Sequence, residues 1–255
     1  VTERLQTQAA IRESEEEFRV AREIQQHLFP KQSPSVDGFD IAGASKPAAA
    51  TGGDYFDYLY TSDGQLVLAV ADVSGHGAGP AMLMAETRAY LRILSRNRDH
   101  LGEILFRANN MVGEDVGKER FISMHLVKID VKSKTIVQCS AGHTPGYIIG
   151  QKGKIKAKMK RTGMALGIMP DAEYEVEDLS KLEKGDIILL LTDGLAETAN
   201  DEGELYGGQR VIEELHCNRD LSAAEIVDSV FEAVENFSGG GEQEDDYTMI
   251  VAKIL

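Results

Sequence analysis

The sequence predicts an α+β fold in which β-sheets are covered by helices, with a further long helix at the N-terminus. Three observations support this prediction. Short β-like runs occur in blocks that are separated from helical blocks, whereas a doubly wound βαβ fold would alternate them. The first 28 residues contain neither Pro nor Gly. The chain has 255 residues, 42% of them hydrophobic, which suffices to bury one large core or two small ones.

The N-terminal segment is rich in Glu, Gln, Arg and Ala, and its apolar residues recur at helical spacing. This pattern predicts one helix that ends at Pro30. Its a/d heptad seam would consist of Ile11, Ser14, Phe18, Ala21, Gln25 and Leu28. The seam is short and has two polar members, so a coiled coil between two copies and a helix packed on its own domain both remain open. The segment resembles a linker that continues upstream of Val1, so we expect a piece of a longer protein.

The globular part follows a linker of residues 31–38, and local patterns predict its elements in order. The predicted strands are Phe39–Ala44, Tyr55–Tyr60, Leu66–Val73, Ile122–Asp130, Thr135–Ser140, Gly146–Ile149, Lys154–Met159, Ile187–Thr192 and Tyr247–Ile254. The predicted helices are Pro80–Ser95, Leu101–Gly117, Gln209–Leu215 and Ala223–Phe237. We expect the four strands between Ile122 and Met159 to form an antiparallel meander. The continuous apolar run Ile187–Thr192 is typical of a strand buried on both faces.

Composition excludes several classes of protein. Asp and Glu number 42 against 27 Lys and Arg, a net charge of -15, which argues against a nucleic-acid partner held through its phosphates. With two cysteines, neither a disulfide framework nor a zinc cluster is indicated, and a reducing cytoplasm fits. No apolar run approaches the ~20 residues that span a bilayer. The sequence therefore predicts a cytoplasmic protein without a membrane partner.

Four aspartates, Asp54, Asp72, Asp193 and Asp245, share one local setting. Each lies where an apolar β run meets a turn that contains Gly or another small or polar residue. A single Asp in such a place is commonly a turn or cap residue. An ionised carboxylate at a buried strand end, however, costs several kcal/mol unless it is paired or bound to a metal. Since no Lys or Arg occurs in the same segments, the repeated pattern predicts bound cations.

All-oxygen ligation selects hard ions such as Mg²⁺ or Mn²⁺ over zinc, which prefers His and Cys. Two such ions that share a bridging carboxylate can activate an attacking water and clamp a phosphoryl group. The residues therefore predict a hydrolase with two divalent ions, without a choice between Mg²⁺ and Mn²⁺.

Five motifs occur in an order typical of one family. They are Gly52-Gly53-Asp54-Tyr55-Phe56-Asp57, Ala71-Asp72-Val73-Ser74-Gly75-His76-Gly77, Ala141-Gly142-His143-Thr144-Pro145, Thr192-Asp193-Gly194-Leu195-Ala196-Glu197 and Asp245-Asp246-Tyr247-Thr248. Through them, residues 24–255 resemble the PPM family of metal-dependent protein phosphatases, and more narrowly its bacterial RsbU/SpoIIE-type branch. The resemblance implies a four-layer αββα sandwich, in which helices flank two antiparallel β-sheets. Residues 31–255 would form the phosphatase domain behind a linker or regulatory helix, residues 1–30.

The resemblance also assigns roles to single residues. Asp72 would bridge both ions, and Asp54 with the backbone carbonyl of Val73 would complete one site. Asp193 and Asp245 would complete the other, with the adjacent Asp246 as an outer ligand or a support. The candidate catalytic residues are Asp72, Asp54 and Asp193, and the candidate metal-binding set is Asp54, Asp72, Val73, Asp193, Asp245 and Asp246.

The sequence departs from the better-known eukaryotic members of the family at two functional positions. Those members have a His two residues after the bridging Asp, where Ser74 stands here. His76 is a candidate general acid, with a structural turn role as the alternative, and His143 is expected to be structural. The eukaryotic members also hold the substrate phosphate with an N-terminal Arg that this branch generally lacks, and Lys46 is the nearest basic residue. Catalysis would then rest chiefly on the metals.

Five lysines alternate along one segment: Lys152, Lys154, Lys156, Lys158 and Lys160. Alternation places their ammonium groups on one face of a strand or hairpin. Such a face could dock an acidic partner. A solvated surface that protects a sheet edge from aggregation is the favoured interpretation.

The sequence therefore predicts a protein serine/threonine phosphatase with a dinuclear Mn²⁺ or Mg²⁺ centre. By family resemblance, its substrate would be a small phosphorylated regulator such as a STAS-domain anti-sigma-factor antagonist. An upstream sensor or receiver domain would control it through the N-terminal helix, which could pair two copies into a homodimer. The alternative is a catalytically silent module of the same fold that binds a phosphoprotein, and the intact set of metal ligands argues against it.

Overall fold

The computed structural model describes residues 16, 18–117, 120–179, 181–241 and 243–255. The strands are β1 (Phe39–Lys46), β2 (Tyr55–Tyr60), β3 (Leu66–Val73), β4 (Ile122–Asp130), β5 (Thr135–Ala141), β6 (Gly146–Ile149), β7 (Ile155–Met159), β8 (Glu177–Asp178), β9 (Ile187–Leu191) and β10 (Tyr247–Ile254). The helices are α1 (residues 18–26), α2 (Ala78–Asn97), α3 (Leu101–Asp115), α4 (Asp193–Glu197), α5 (Gly207–Cys217) and α6 (Ala223–Phe237). In the described part of the chain, no helix is long and apolar enough to cross a membrane.

Two antiparallel sheets of five strands form the centre of the fold. Sheet I has the strand order β1-β10-β9-β6-β7, and sheet II has the order β2-β3-β4-β5-β8. Side chains of α2 and α3 pack on the outer face of sheet II, and side chains of α5 and α6 pack on the outer face of sheet I. A third apolar cluster fills the space between the sheets. The αββα sandwich implied by the resemblance is therefore confirmed.

Strand β9 shows how the sequence pattern produces this layering. All five of its residues are buried. Ile188 and Leu190 face the cluster between the sheets, whereas Leu189 and Leu191 face α5 and α6, because successive side chains point to opposite faces of a strand. The predicted strand buried on both faces is confirmed. Helix α6 begins with a capping box between Ser222 and Glu225.

The predicted meander between Ile122 and Met159 is wrong. Strands β4 and β5 pair in sheet II, but β6 and β7 belong to sheet I. The chain changes sheets between Ala141 and Gly146. Local turn chemistry shows that a strand ends, but it does not show which sheet receives the next strand. The short elements α4 and β8 were not predicted, since neither is long enough to show a hydrophobic period.

The described end of the N-terminal helix packs on the domain. Leu28 and Phe29 contact the apolar clusters, and the Phe29 ring stacks on Phe56 with centroids 5.4 Å apart. Gln25 is buried, whereas Phe18 and Ile24 are exposed. The heptad seam is thus divided between the domain and solvent. Its positions at residues 11 and 14 lie outside the described residues, and the division into residues 1–30 and 31–255 stays a prediction.

Strand β7 forms one edge of sheet I, in agreement with the favoured interpretation of the lysine-rich segment. The strand itself contains two of the five lysines. The Lys156 ammonium lies 2.6 Å from Asp186 and 2.8 Å from Glu183, and the Lys158 ammonium lies 5.8 Å from the Tyr147 ring centroid. Two of the five charges are therefore engaged within the protein, so the segment is not a uniform docking face.

A buried ion pair joins β2 to α2 and gives a prediction about stability. The Asp57 side chain is 1% exposed and accepts hydrogen bonds from Arg92 at 2.6 and 2.8 Å. In Arg92→Met the carboxylate would stay buried without its cation, which typically costs ~3–5 kcal/mol. Because Arg92 is partly exposed, we expect a loss of about 2 kcal/mol in the free energy of unfolding, measured by urea denaturation. Arg96→Met, at an exposed position of the same helix, should change it little.

Candidate metal centre

The predicted acidic residues converge at one end of the sandwich because of the strand pairing. Asp54 precedes β2 and Asp72 lies near the end of β3, and the register Tyr55↔Ala71 makes them neighbours. Asp193 begins α4 directly after β9. Asp245 comes just before β10, which pairs with β9. The two sheets thus contribute carboxylates to one common end of the molecule.

A cleft of about 810 Å³ opens at this end. Asp72 and Asp245 line it, together with His76 and Glu197. On its other side the cleft is walled by the turn after α4 and by the loop between α6 and β10, whose residues include Asn200, Asp201, Ser238, Gly241, Gln243 and Glu244. The volume is large enough for a phosphorylated side chain and part of its peptide.

The carboxylates raise one another's pKa. Burial, followed by the charges of Asp193 and Asp245, raises the pKa of Asp72 to about 7. Burial and the charge of Asp72 raise the pKa of Asp54 well above its usual value, against a lowering effect of hydrogen bonds to threonine. Burial, opposed by a hydrogen bond from the next backbone amide, also raises the pKa of Asp245. Among the described residues, no cationic side chain contributes to lowering the pKa of these three aspartates.

Glycines let the backbone approach these groups closely. A Cβ atom on Gly53 would lie 2.6 Å from the carbonyl oxygen of Val73, the predicted backbone ligand. A Cβ on Gly52 would lie 2.1 Å from a carboxylate oxygen of Asp246. Real Cβ atoms do not approach so closely, so larger residues would displace the loop that carries Asp54. The Gly-Gly pair before Asp54 is thus required by packing at the site.

Comparison with known protein families identifies the chain. Residues 62–255 match the family described as Stage II sporulation protein E (SpoIIE). The chain belongs to this family. It is 30% identical over 243 residues to Phosphoserine phosphatase RsbU of Bacillus subtilis, an alignment that covers 94% of this chain and 71% of that protein. It is 28% identical over 262 residues to Protein IcfG of Synechocystis sp.. That alignment covers 92% of this chain and 41% of the relative's length.

Solved structures support the same fold. The SiaA-PP2C domain of Pseudomonas aeruginosa superposes with a TM-score of 0.82 at 20% identity, over 96% of this chain and 98% of that chain. RsbX in complex with magnesium superposes with a TM-score of 0.63 at 19% identity, over 88% of this chain and 99% of that chain. The SpoIIE-family chain described here is thus a protein phosphatase of RsbU/SpoIIE type with the PP2C fold.

The donor set of this phosphatase fits hard divalent ions. All six predicted ligands offer oxygen atoms, the donors that Mg²⁺ and Mn²⁺ prefer, and burial together with neighbouring carboxylates raises the pKa of Asp54 and Asp72. Among the residues that the structure describes, no group of three or more His, Cys, Asp or Glu side chains is gathered tightly enough to form a ready-made metal site. Of the predicted ligands, Asp72 and Asp245 line the cleft, whereas Asp54 and Asp246 are buried. The ligand assignment of each residue therefore stays a prediction.

Asp246 has both carboxylate oxygens engaged by the backbone. Oδ1 accepts from the amide of Ala48 at 2.8 Å, and Oδ2 accepts from the amide of Asp54 at 3.3 Å. Asp246 therefore ties the loop before β2 to the start of β10. Of the two roles left open for this residue, these contacts favour support of the loop over ligation.

The structure also places the other candidate site residues. His76 is exposed and lines the cleft, where it can reach a substrate. The ammonium of Lys46 forms an ion pair with Glu235, which draws it away from a role in phosphate binding. His143 is buried, as expected of a structural residue, and Ser74 accepts a hydrogen bond from the Phe121 amide at 3.0 Å.

Sequence reasoning missed two polar residues that contact the site. The Thr192 hydroxyl donates to Oδ2 of Asp54 at 2.8 Å, from the opposite sheet. Gln25 hydrogen-bonds both backbone groups of Gly52, at 2.6 and 3.0 Å. Gln25 could have been noticed as a polar residue in the heptad seam. Thr192 could have been noticed as a polar residue at the end of an apolar strand.

Proposed function

We propose that this phosphatase uses two divalent ions, Mn²⁺ or Mg²⁺, to hydrolyse phosphoserine or phosphothreonine on a regulatory protein. The supporting observation is that strand pairing brings the predicted carboxylates to one end of the sandwich, where burial and acidic neighbours raise the pKa of Asp72 to about 7. Without cations, this end of the molecule would repel a phosphate dianion. When bound, the ions would supply positive charge to the phosphoryl group and lower the pKa of a bound water.

The chain's own residues would hold and orient that centre. Asp72 would bridge the ions, Asp54 and the Val73 carbonyl would serve one, and Asp193 and Asp245 the other. The hydroxyl of Thr192 donates to Oδ2 of Asp54 and orients this carboxylate. The exposed position of Asp245 suits the ion nearer to solvent, where substrate enters.

For the substrate we propose a phosphorylated STAS-domain antagonist. The support is the similarity to RsbU, a phosphoserine phosphatase, together with the cleft volume of about 810 Å³, which has room for part of a peptide. The test is phosphate release from a phosphoserine-containing STAS-domain protein with added Mn²⁺. Binding of the phosphoprotein without phosphate release would support the silent binding module instead.

We further propose that α1 transmits a signal from an upstream domain to the metal centre. The buried Gln25 side chain holds Gly52 from both sides, since its Nε2 donates to the Gly52 carbonyl and its Oε1 accepts from the Gly52 amide. Gly52 packs against the carboxylate of Asp246. A cavity of about 40 Å³ between α1 and the loop reaches Asp54 itself. A shift of α1 would therefore move the loop that carries a metal ligand.

Gln25→Ala tests this connection. We expect roughly 10-fold weaker activation by Mn²⁺, in the range found for residues that support a metal ligand, because the Gly52 loop loses two hydrogen bonds. The control is Glu23→Ala, two residues earlier on the same helix and exposed, which should leave activation unchanged. Equal activation curves for both variants would refute the coupling.

Homodimerisation through the N-terminal helix is a separate part of the proposal. Its support is the exposure of Phe18 and Ile24, at 44% and 59%, on a helix whose other side is held by the domain. Sedimentation of the chain and of a form lacking residues 1–28 would test it. A concentration-independent monomer in both cases would refute it.

A further inference from the structure

His143 lies in the segment that carries the chain from sheet II to sheet I. β5 ends at Ala141 in sheet II, and β6 begins at Gly146 in sheet I. Gly142 adopts a φ of +68°, and a Cβ there would lie 2.8 Å from the Ala165 amide nitrogen. The crossing is therefore a tightly packed turn that suits glycine alone at this point. It holds the His143 side chain, 3% exposed, between the two sheets.

The imidazole of His143 bonds to both sheets at once. Its Nε2 lies 3.2 Å from the backbone carbonyl oxygen of Leu191 in sheet I, and its Nδ1 lies 2.6 Å from the hydroxyl of Ser123 in sheet II. A carbonyl only accepts, so Nε2 carries the proton and donates, and Nδ1 accepts from Ser123. Burial lowers the pKa of His143 to about 3, with the nearby His125 adding to the effect, so the ring is neutral as this arrangement requires.

Both partners of His143 stand next to predicted metal ligands. Ser123 is the register partner of Asp72 across β3 and β4. Leu191 ends β9, two residues before Asp193. One imidazole thus connects the Ser123 side chain, beside the predicted bridging ligand in sheet II, to the Leu191 backbone, near a predicted terminal ligand in sheet I. Apolar packing between sheets sets their separation loosely, whereas two directional hydrogen bonds fix it at this end.

We propose that His143 is a positioning residue that sets the distance between the Asp72 side and the Asp193 side of the metal centre. This inference rests on the proposed metal-dependent function. His143 is enclosed between the sheets and touches neither the cleft nor the substrate. Its role is to keep carboxylates from two different sheets in register for the same pair of ions.

Four variants separate the two hydrogen bonds. His143→Gln places an amide N–H near the position of Nε2 and keeps a donor toward Leu191. His143→Asn places an amide oxygen near Nδ1 and keeps an acceptor toward Ser123. His143→Ala removes both bonds, and Ser123→Ala removes only the bond within sheet II. Each variant is tested for Mn²⁺ binding by calorimetry without substrate, and for kcat and the Mn²⁺ concentration that gives half of full activity.

We expect His143→Ala to weaken Mn²⁺ binding by roughly 10–100-fold, as is typical when a group that orients metal ligands is lost. His143→Gln and His143→Asn should each recover part of that loss, and saturating Mn²⁺ should restore much of kcat. The control is Ile136→Ala. This side chain is 1% exposed and pairs with Ile129 at the far end of the sandwich, so its loss destabilises the fold without touching the metal end.

The outcomes distinguish the inference from the function on which it rests. If the unaltered protein binds no Mn²⁺, the metal-dependent function itself fails. If it binds Mn²⁺ and His143→Ala binds equally well, the positioning role is refuted. The positioning role is also refuted if Ile136→Ala, with a thermal stability equal to that of His143→Ala, weakens Mn²⁺ binding by the same factor. Should His143→Ala not fold, Ser123→Ala and the two amide variants decide by the same comparison.

Discussion

Asp72→Asn should abolish metal-dependent phosphate release. A bridging ligand serves both ions, so its loss should reduce kcat by more than about 100-fold, the upper end of the effect of residues that merely support a ligand. Asp193→Asn should have a comparable effect, since it removes a predicted terminal ligand from the other sheet. The measurement is phosphate release from a phosphoserine peptide over a Mn²⁺ titration.

The control for this prediction is Glu244→Gln. Glu244 is an exposed carboxylate of the same cleft, adjacent to Asp245, and it is not a predicted ligand. It should retain activity within a few-fold, so that a general loss of negative charge in the cleft is separated from the loss of a ligand. Full activity in both Asp72→Asn and Asp193→Asn would overturn the metal assignment.

Asp72→Asn should also stabilise the protein when metal is absent. The pKa of Asp72 is raised from 3.8 to about 7 in the folded state, chiefly by burial and then by its acidic neighbours. The folded state therefore holds this proton more tightly than the unfolded chain does, so the metal-free protein loses stability as pH rises between these two values. The shift corresponds to about 4 kcal/mol at most, and Asp72→Asn removes that penalty.

The measurement is the free energy of unfolding in urea, with a chelator present, at about pH 8 and about pH 4, on either side of the titration. We expect Asp72→Asn to be more stable than the unaltered protein by roughly 2–4 kcal/mol at the higher pH, and the difference to fall below about 1 kcal/mol at the lower pH. The buried histidines are common to both proteins and cancel in this comparison. Added Mn²⁺ should reverse the order by binding only the protein with intact ligands. A difference independent of pH would contradict the explanation.

Much of the fold was predictable because the relevant signals are local. The run Ile187–Leu191 indicated a strand buried on both faces, and its residues do divide between two apolar clusters. The limits of β2, β3, β4, β6, β10 and α6 agree with the prediction, since Gly, Asp and Ser residues end these periodic segments. Boundaries of α2 and α5 differ by about two residues, as is usual where a helix begins without a side-chain cap.

The candidate site was predictable for a different reason. Asp54, Asp72, Asp193 and Asp245 each follow or precede an apolar run, and carboxylates placed at strand ends in this way predict bound cations, whatever the order of the strands. The ordered motifs then identified the family. No local signal could show that Lys46 pairs with Glu235, because these residues are 189 positions apart.

The sequence by itself therefore determined the family and the longer helices and strands, and it predicted the acidic residues of the site, since each depends on short-range periodicity or on motif chemistry. Tertiary structure alone decided that β6 joins sheet I and that the Gln25 side chain is buried against the domain. It also decided that His143 hydrogen-bonds to residues near Asp72 and near Asp193. These contacts form only when distant segments pack together, and the free energy that selects them comes from burial shared among many residues.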